Sequence, residues 1–597
     1  MTFMVSTFVL YISQCIFNTF NVGLTLLLFL ALASFFCVFF IRGWKFNKSI
    51  LLTSGLISFF AIYFVYFIID FNRSFVLWDE LMHWGKMVKE MFRLDQFYAV
   101  SESTLIRHKD YPPFISLFEF LWCKLSGGYS EDIVSMAIHI FSISLIIPYI
   151  FEKKIDINKV SVFNMFLCNM LYVLLYIILI AFLDGYGTFY SIYTDIFISI
   201  MFAYSMILVY SNDAMNTKFG FVCYILSLMS LISIKQIGVY FVFISIFYFI
   251  ICGIIKIRYN NKKIYNIFIK ILVSIIIPFI VYKYWNLFIS NIGIVGQFDT
   301  RSKVNFISYV NIILYGSGIQ HDTFIRFIRA LFEKNITTSI FPISYVSSIL
   351  IVILLCIMCR FLARVKLSKE DTAVLIFVLA VGALGYAALL SILYVFCFEQ
   401  NEMIYLRSYS RYMSSYFIGE IIFILFIIIS KFKYITFKLL NIKYATLLSL
   451  VCAVILTPSN MIGYIPQCIR GDTMLEFHRL ANILIKRTNP NKSVYIVYKS
   501  DSVDDYQVYI SYYCDDIYID TAYFDVLNEN FNKDKNVYTQ AVNEMNKNDY
   551  VFVVHVSDSF NKYFLKYLTD EKQKFTAETV YKVSHDANGL LQLAPLE

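Results

Sequence analysis

AVLIFVLAVGALGYAALLSILYVF, residues 373–396, contains no charged side chain. A helix rises 1.5 Å per residue, so this stretch is long enough to cross a hydrocarbon core of about 30 Å. Its two flanks differ. Arg360, Arg364, Lys366 and Lys369 precede it, whereas Glu399-Gln400-Asn401-Glu402 follows it. Basic residues collect on the cytoplasmic side of membranes, so the segment reads as a span that runs outward.

Similar apolar runs recur on both sides of it: 3–17, 22–41, 51–69, 133–151, 160–182, 192–210, 219–234, 237–255, 271–288, 343–359, 416–429 and 444–462. Together they predict a polytopic α-helical membrane protein with about thirteen transmembrane helices. The first and twelfth are short for a span. Composition agrees: of 597 residues, 59% are hydrophobic and 15% charged, against about 25% charged in soluble chains. A string of soluble domains is excluded. The N-terminus lacks the basic leading stretch of a removable signal peptide, and apolar segments continue far beyond it.

The net charge of +8 resides in short clusters between the apolar runs, with no zinc-finger spacing and no arginine-rich tract, so nucleic acid is not an expected partner. Those clusters order the topology. Arg42, Lys45 and Lys48; Lys153, Lys154 and Lys159; Lys218; Lys256, Arg258, Lys262 and Lys263; Arg360 to Lys369; and Lys431, Lys433, Lys438 and Lys443 all fall on one side of thirteen alternating spans. That side is expected to be cytoplasmic, together with the N-terminus. The long loops, about 70–132, 289–342 and 397–415, fall on the other side with the tail. Residues 1–50 form an N-terminal pair of spans, 51–462 the main membrane domain, and 463–597 a small extracytoplasmic domain.

The tail carries an alternating stretch at 494–498, a helical pattern near 504–513 and short strands near 517–519 and 550–555, which predicts an α/β domain. It has no phosphate-cradling glycine motif. The twelve cysteines are scattered; Cys37, Cys168, Cys223 and Cys452 lie in apolar runs and read as small buried hydrophobes. Cys356 and Cys359 are close together but sit inside a predicted span.

The first long loop is the richest in chemistry. Trp78-Asp79-Glu80-Leu81-Met82-His83-Trp84 opens a pattern with Leu81, Trp84, Val88 and Met91 on one stripe and Lys86, Lys89, Glu90 and Arg93 off it, an amphipathic helix suited to the membrane surface. Two readings fit the acidic pair. Asp79 caps the helix and Glu80 meets its positive end, or a carboxylate there, beside His83, takes a proton from an attacking sugar hydroxyl. Two acids and one histidine make a weak metal set, so no metal ligands are assigned. Arg107-His108-Lys109-Asp110-Tyr111-Pro112-Pro113 reads either as a rigid solvated loop or as a surface for phosphate or sugar. Asp195, at the end of a span, is expected to face the protein interior or a cavity. Lys235 stands on the side that disfavours positive charge; a phosphate partner or snorkelling resolves it. Arg407 and Arg411 share one face if their stretch is helical and fit a phosphate leaving group. His321, with Arg326 and Arg329, lies on a second interfacial helix.

The acidic pair, the interfacial helix, Tyr111-Pro112-Pro113, Tyr193-Thr194-Asp195, Lys235 and Arg407 to Tyr412 resemble the GT-C superfamily of integral-membrane glycosyltransferases. The similarity, over about residues 50–430, is to bacterial members like glycosyltransferase family 39, the dolichyl-phosphate-mannose–protein mannosyltransferases, and the aminoarabinose transferases. The resemblance implies transfer of a sugar from a polyprenyl-phosphate donor to a glycan, lipid or protein acceptor of the bacterial cell envelope. Asp79 then falls in the place of the catalytic base with Glu80 as substitute or orienting neighbour. Lys235, Arg407 and Arg411 would hold the donor phosphate, with His83, Arg107, His108, Tyr111, Asp195 and His321 as further binding candidates. Two departures stand out: the acidic loop follows the third span, where the family has it after the first, and the two acids are adjacent. No cofactor is required, and a divalent metal is compatible with this chemistry but not demanded by it. The competing readings are a lipid-linked oligosaccharide polymerase or ligase, and a secondary transporter, which favours an internal repeat and midplane charges.

Overall fold

A computed structural model describes residues 1–42, 54–105, 107–150, 180, 183–184, 190–259, 264–294, 306–338, 341–362, 367–431, 472–498, 505–514, 517–520, 535–570 and 573–596. The expected span 444–462, the span 160–182 apart from Ile180, and the basic clusters at 45–48, 153–159, 262–263 and 433–443 lie outside the described residues. The chain divides into two compact units. One comprises Met1–Arg73, Met87–Ser101 and His108–Ile465; the other comprises Ser74–Lys86, Glu102–Arg107 and Pro466–Glu597.

The first unit is helical. Among the described residues, four helices are long and apolar enough to cross a membrane: Gly238–Lys256, Ile264–Asn291, Lys369–Phe396 and Tyr409–Ser430. A fifth is counted if Phe114–Ser126 and Glu131–Ile146, bent by 119°, form one broken span. This corrects the expectation of about thirteen. Shorter apolar helices occupy much of the remainder, including Thr2–Phe17, Thr194–Tyr210, Lys218–Ile234 and Tyr345–Phe361. At 1.5 Å per residue, a helix of 16 or 17 residues falls several ångströms short of a hydrocarbon core about 30 Å thick. Local chemistry sets these ends. Thr217 Oγ1 accepts the Gly220 N–H at 2.8 Å to start Lys218–Ile234, and Lys235, in extended conformation, stops it. The Gly238 N–H then bonds the Lys235 carbonyl at 2.8 Å. Any β-carbon on Gly238 would collide with the Leu231 carbonyl, so the turn needs glycine.

Helix Thr194–Tyr210 is the centre of this unit. Every residue from Thr194 to Val209 is buried, and it packs on Tyr409–Lys431, Lys218–Ile234 and Gly238–Tyr259. A helix apolar on all sides belongs inside. Its crossing with Tyr409–Lys431 is close: Ser199 Oγ donates to the Ser415 carbonyl at 2.5 Å, and a β-carbon on Gly419 would come within 2.9 Å of Phe202. Ile264–Asn291 differs, presenting exposed Leu272, Ile275, Ile276, Phe279, Ile280 and Leu287. Such a contiguous apolar face suits a lipid environment.

The second unit contains a mixed five-stranded sheet, in the order β2 (Ile517–Asp520), β1 (Lys492–Val497), β3 (Tyr550–Val553), β4 (Thr579–His585), β5 (Leu591–Pro595). β1 is parallel to β2 and β3, and β3–β4 and β4–β5 are antiparallel. Val551, Val553, Phe560, Phe564 and Leu593 fill its core. Helices Asp472–Arg487 and Asp505–Tyr513 pack on each other in the same unit.

Candidate active site

The first unit gathers three of the sequence-derived candidates. Asp195 enters in the first turn of Thr194–Tyr210, Lys235 stands at the end of Lys218–Ile234, and Arg411 lies in the first turn of Tyr409–Lys431. Lys235 Nζ is 3.1 Å from Asp195 Oδ1, and Arg411 Nε is 3.5 Å from Asp195 Oδ2. All three side chains are at least 88% buried, since 12% is the greatest exposure among them. Aromatic faces complete the surroundings. The Arg411 guanidinium lies 4.7 Å from the Tyr193 ring centre and 5.1 Å from that of Tyr412, and Lys235 Nζ lies 5.0 Å from Tyr412. Asp195 brings two cationic side chains together at one buried place. The anomalous Lys235 thus has a protein carboxylate beside it, an arrangement that neither phosphate nor snorkelling anticipated.

The next residue ties in the proline loop. Gln236 Nε2 donates to Asp110 Oδ2 at 2.6 Å, and Trp285 Nε1 donates to the Asp110 carbonyl at 2.9 Å. The Tyr98 hydroxyl donates to the Tyr111 carbonyl at 2.5 Å. His108 has φ +61° and lies against Tyr111 with ring centres 4.5 Å apart and planes tilted by 31°. A histidine held in the left-handed region is strained, and the pinned Asp110 and Tyr111 hold it there. Asp110 and Tyr111 are buried, whereas His108 and Lys109 are half-buried and Arg107 is exposed, so the basic part of this run keeps contact with solvent.

The acidic pair lies in the second unit, where Glu80 opens a π-helical turn, Glu80–Trp84, and Asp79 immediately precedes it. Such turns are rare and frequent at functional sites. Its two acids have different surroundings. Glu80 is fully buried, and its Oε2 accepts the Val76 and Leu77 N–H groups at 3.1 and 3.0 Å. Asp79 is half-buried, has helical dihedrals and makes no side-chain capping bond. Capping falls to Glu80 because its longer side chain reaches back over the turn. His83 is buried and its ring centre is 4.8 Å from that of Trp84. Lys86 and Glu90, expected on a solvated face, are 4% and 0% exposed.

Other candidates stand apart from these groups. Arg407 is exposed and precedes its helix, because Leu406 and Ser408 adopt φ of +45° and +59°. It therefore does not share a helical face with Arg411, which corrects the expected pairing. His321 Nδ1 meets the Ile312 carbonyl at 2.8 Å. Arg107 is exposed and belongs to the second unit. Sequence reasoning missed a buried network in the first unit, where His139 Nδ1 is 2.7 Å from Asp70 Oδ2 and Arg73 is 3.3 Å from Asp70 Oδ1. A histidine in the apolar run 133–151 was its available signal. Among the described residues, no three His, Cys, Asp or Glu side chains converge as a metal site.

No protein-family model matches the chain, and no curated protein does. Among solved structures it is similar to ArnT from Cupriavidus metallidurans in the apo state, at 10% identity over 86% of this chain and 95% of that one, with a TM-score of 0.37. A likeness of that size lends no roles to individual residues.

Proposed function

We propose that the protein is a membrane-embedded glycosyltransferase that moves a sugar from a polyprenyl-phosphate donor to an acceptor of the bacterial cell envelope. The observation that supports it most is the buried meeting of Lys235 and Arg411 on Asp195, because two cationic side chains held side by side are the groups that grip a lipid phosphate. The membrane domain lies in the cytoplasmic membrane with the N-terminus inside, and the C-terminal domain works outside. The reaction is a single displacement. Asp79 removes the proton from the acceptor hydroxyl as its oxygen attacks the anomeric carbon. The bond from that carbon to the phosphate oxygen breaks, its electron pair stays on the phosphate, and the sugar inverts. A donor phosphodiester carries one negative charge, and the departing phosphate gains roughly one more; Lys235 and Arg411 stabilise that growth. The bonds from Glu80 to two backbone N–H groups suit it to shaping the turn, which favours Asp79 as the base.

The test is transfer of radiolabelled mannose, glucose, galactose or aminoarabinose from undecaprenyl phosphate by the full chain in proteoliposomes, with lipid A, teichoic acid chains and peptides as acceptors. Asp79→Asn is expected to lose transfer while binding the donor, and Glu80→Gln to lose folded protein. Absence of both turnover and polyprenyl-phosphate binding across that panel refutes the proposal, and solute flux is then the measurement to make.

A further inference from the structure

The segment that carries the acidic pair is built into the C-terminal domain. Phe75 and Lys86 bracket the turn, and both meet the end of helix Asp505–Tyr513, at adjacent residues. The Phe75 ring lies 6.2 Å from that of Tyr512 at 63°, with both side chains buried. Lys86 Nζ donates to the Ser511 carbonyl at 3.3 Å. Ser511 is in the last turn of its helix, where carbonyls lack intrahelical partners and the dipole is negative, so an ammonium is the group that end requires. Lysine buried to 4% exposure is costly without such a role. Between the two clasps the backbone is closed. The Glu80 and Leu81 N–H groups bond the Leu77 carbonyl at 3.0 and 3.2 Å, and the Glu80 carboxylate bonds back to Val76 and Leu77. Gly85 completes the fit, because any β-carbon there would strike the Phe75 ring and the Glu80 carbonyl. Asp79 has little backbone freedom left.

We propose that helix Asp505–Tyr513 of the C-terminal domain is the seat that sets the position of Asp79, with Lys86 and Tyr512 as positioning residues. This rests on the reading of Asp79 as the base. A domain that only recognised acceptors, or only stabilised the chain, would leave the chemical step untouched when the clasp is loosened. A seat makes the turnover rate depend on the clasp, because a base displaced by about 1 Å loses on the order of a hundredfold in rate.

The experiment uses the full chain in proteoliposomes with the donor panel above. Lys86→Met and Tyr512→Ala loosen the clasp; Lys86→Arg and Tyr512→Phe keep its charge and ring; exposed Lys562→Ala in the same domain is the control. Transfer kinetics are read beside hydrogen exchange of residues 74–86. The expected result is a fall in kcat of at least tenfold for Lys86→Met and Tyr512→Ala, donor KM within twofold, exchange of 74–86 faster by tenfold, and near wild-type behaviour of the conservative and control variants. If the wild type transfers sugar and both loosened variants keep their kcat with exchange accelerated, the positioning role is overturned and the transferase reading stands. If KM and kcat fall together with loss of folded protein in Tyr512→Ala, Lys86→Met decides by the same criteria. A wild type that transfers no sugar overturns both, and the exchange data then describe a structural clasp alone.

Discussion

Asp195→Asn separates a phosphate site from a purely structural ion cluster. Asp195 lies 3.1 Å from Lys235 and 3.5 Å from Arg411, deep in the first unit. At an effective dielectric of about 20, unit charges at such distances attract by roughly 5 kcal/mol before desolvation is subtracted. Breaking a buried pair typically costs about 3–5 kcal/mol, because the surviving charge stays buried. Asparagine keeps the shape and one acceptor, and the Tyr193 and Tyr412 faces remain, so the expected loss is near the lower end, about 3 kcal/mol. The net charge of the three side chains rises from +1 to +2. An anionic ligand should therefore bind the variant more tightly, by about 1.4 kcal/mol or tenfold after screening. The assay is thermal unfolding in nanodiscs with and without undecaprenyl phosphate, together with its Kd. The bare variant should melt well below wild type, and saturating ligand, which contributes about 2.7 kcal/mol at a hundred times Kd, should recover most of the loss. A variant that melts early and binds undecaprenyl phosphate no better than wild type refutes the reasoning: Asp195 would then hold cations that meet no phosphate.

Arg407 and Arg411, alike in sequence, should part in function. Arg411→Ala is expected to raise the donor KM about thirtyfold, the equivalent of ~2 kcal/mol for a charge-assisted contact, whereas exposed Arg407→Ala stays within twofold; equal effects refute the assignment. In the C-terminal domain, the Ser493 N–H and then Lys492 hold the Asp549 carboxyl below its usual range. A carboxyl with a depressed folded value stabilises the fold above its unfolded pKa of about 3.9, and that stability is lost as pH falls through the folded value. Asp549→Asn should cost about 1 kcal/mol at neutral pH, discounted because the pair is solvent-exposed. The gap to wild type should narrow as pH falls below the unfolded pKa of about 3.9 and close below the depressed folded value, read as tyrosine fluorescence of the domain during thermal unfolding; a gap that is constant with pH sinks it.

How much of this was legible follows from the physics of each feature. Hydropathy shows which segments are apolar, and helices such as Thr194–Tyr210, Gly238–Tyr259 and Lys369–Phe396 sit where apolar runs were read. It does not distinguish a helix buried in protein from one facing lipid, because both require apolar side chains. Thr194–Tyr210 and Ile264–Asn291 have similar composition, yet the former is buried throughout and the latter displays most of its face. Among the described residues, counting every apolar run as a span therefore overstated the number of helices long enough to cross. The alternating stretch at 494–498 marked β1, whereas β4 went unread because Lys582 and His585 interrupt its apolar residues, and β5 because it is five residues long and ends in Pro595.

Site residues were legible to the extent that their charge was out of place. Asp195 and Lys235 are conspicuous at the ends of apolar runs, and the structure answers each with the other. Their pairing spans 40 residues, a separation that no local pattern encodes. Arg407 and Arg411 were read together because four residues make one helical turn, an inference that holds only where φ stays negative; Leu406 and Ser408 break it. Lys86 is the more instructive miss. On an amphipathic pattern it belongs to the solvated face, and the pattern is right about the helix. What it cannot contain is the carbonyl end of a helix more than four hundred residues away in the chain, which gives a buried ammonium its partner. The same polar residue is surface decoration or a clasp depending on a contact made only after both segments fold, so charges on predicted surface helices near an acidic candidate are the ones most in need of mutation before a role is denied them.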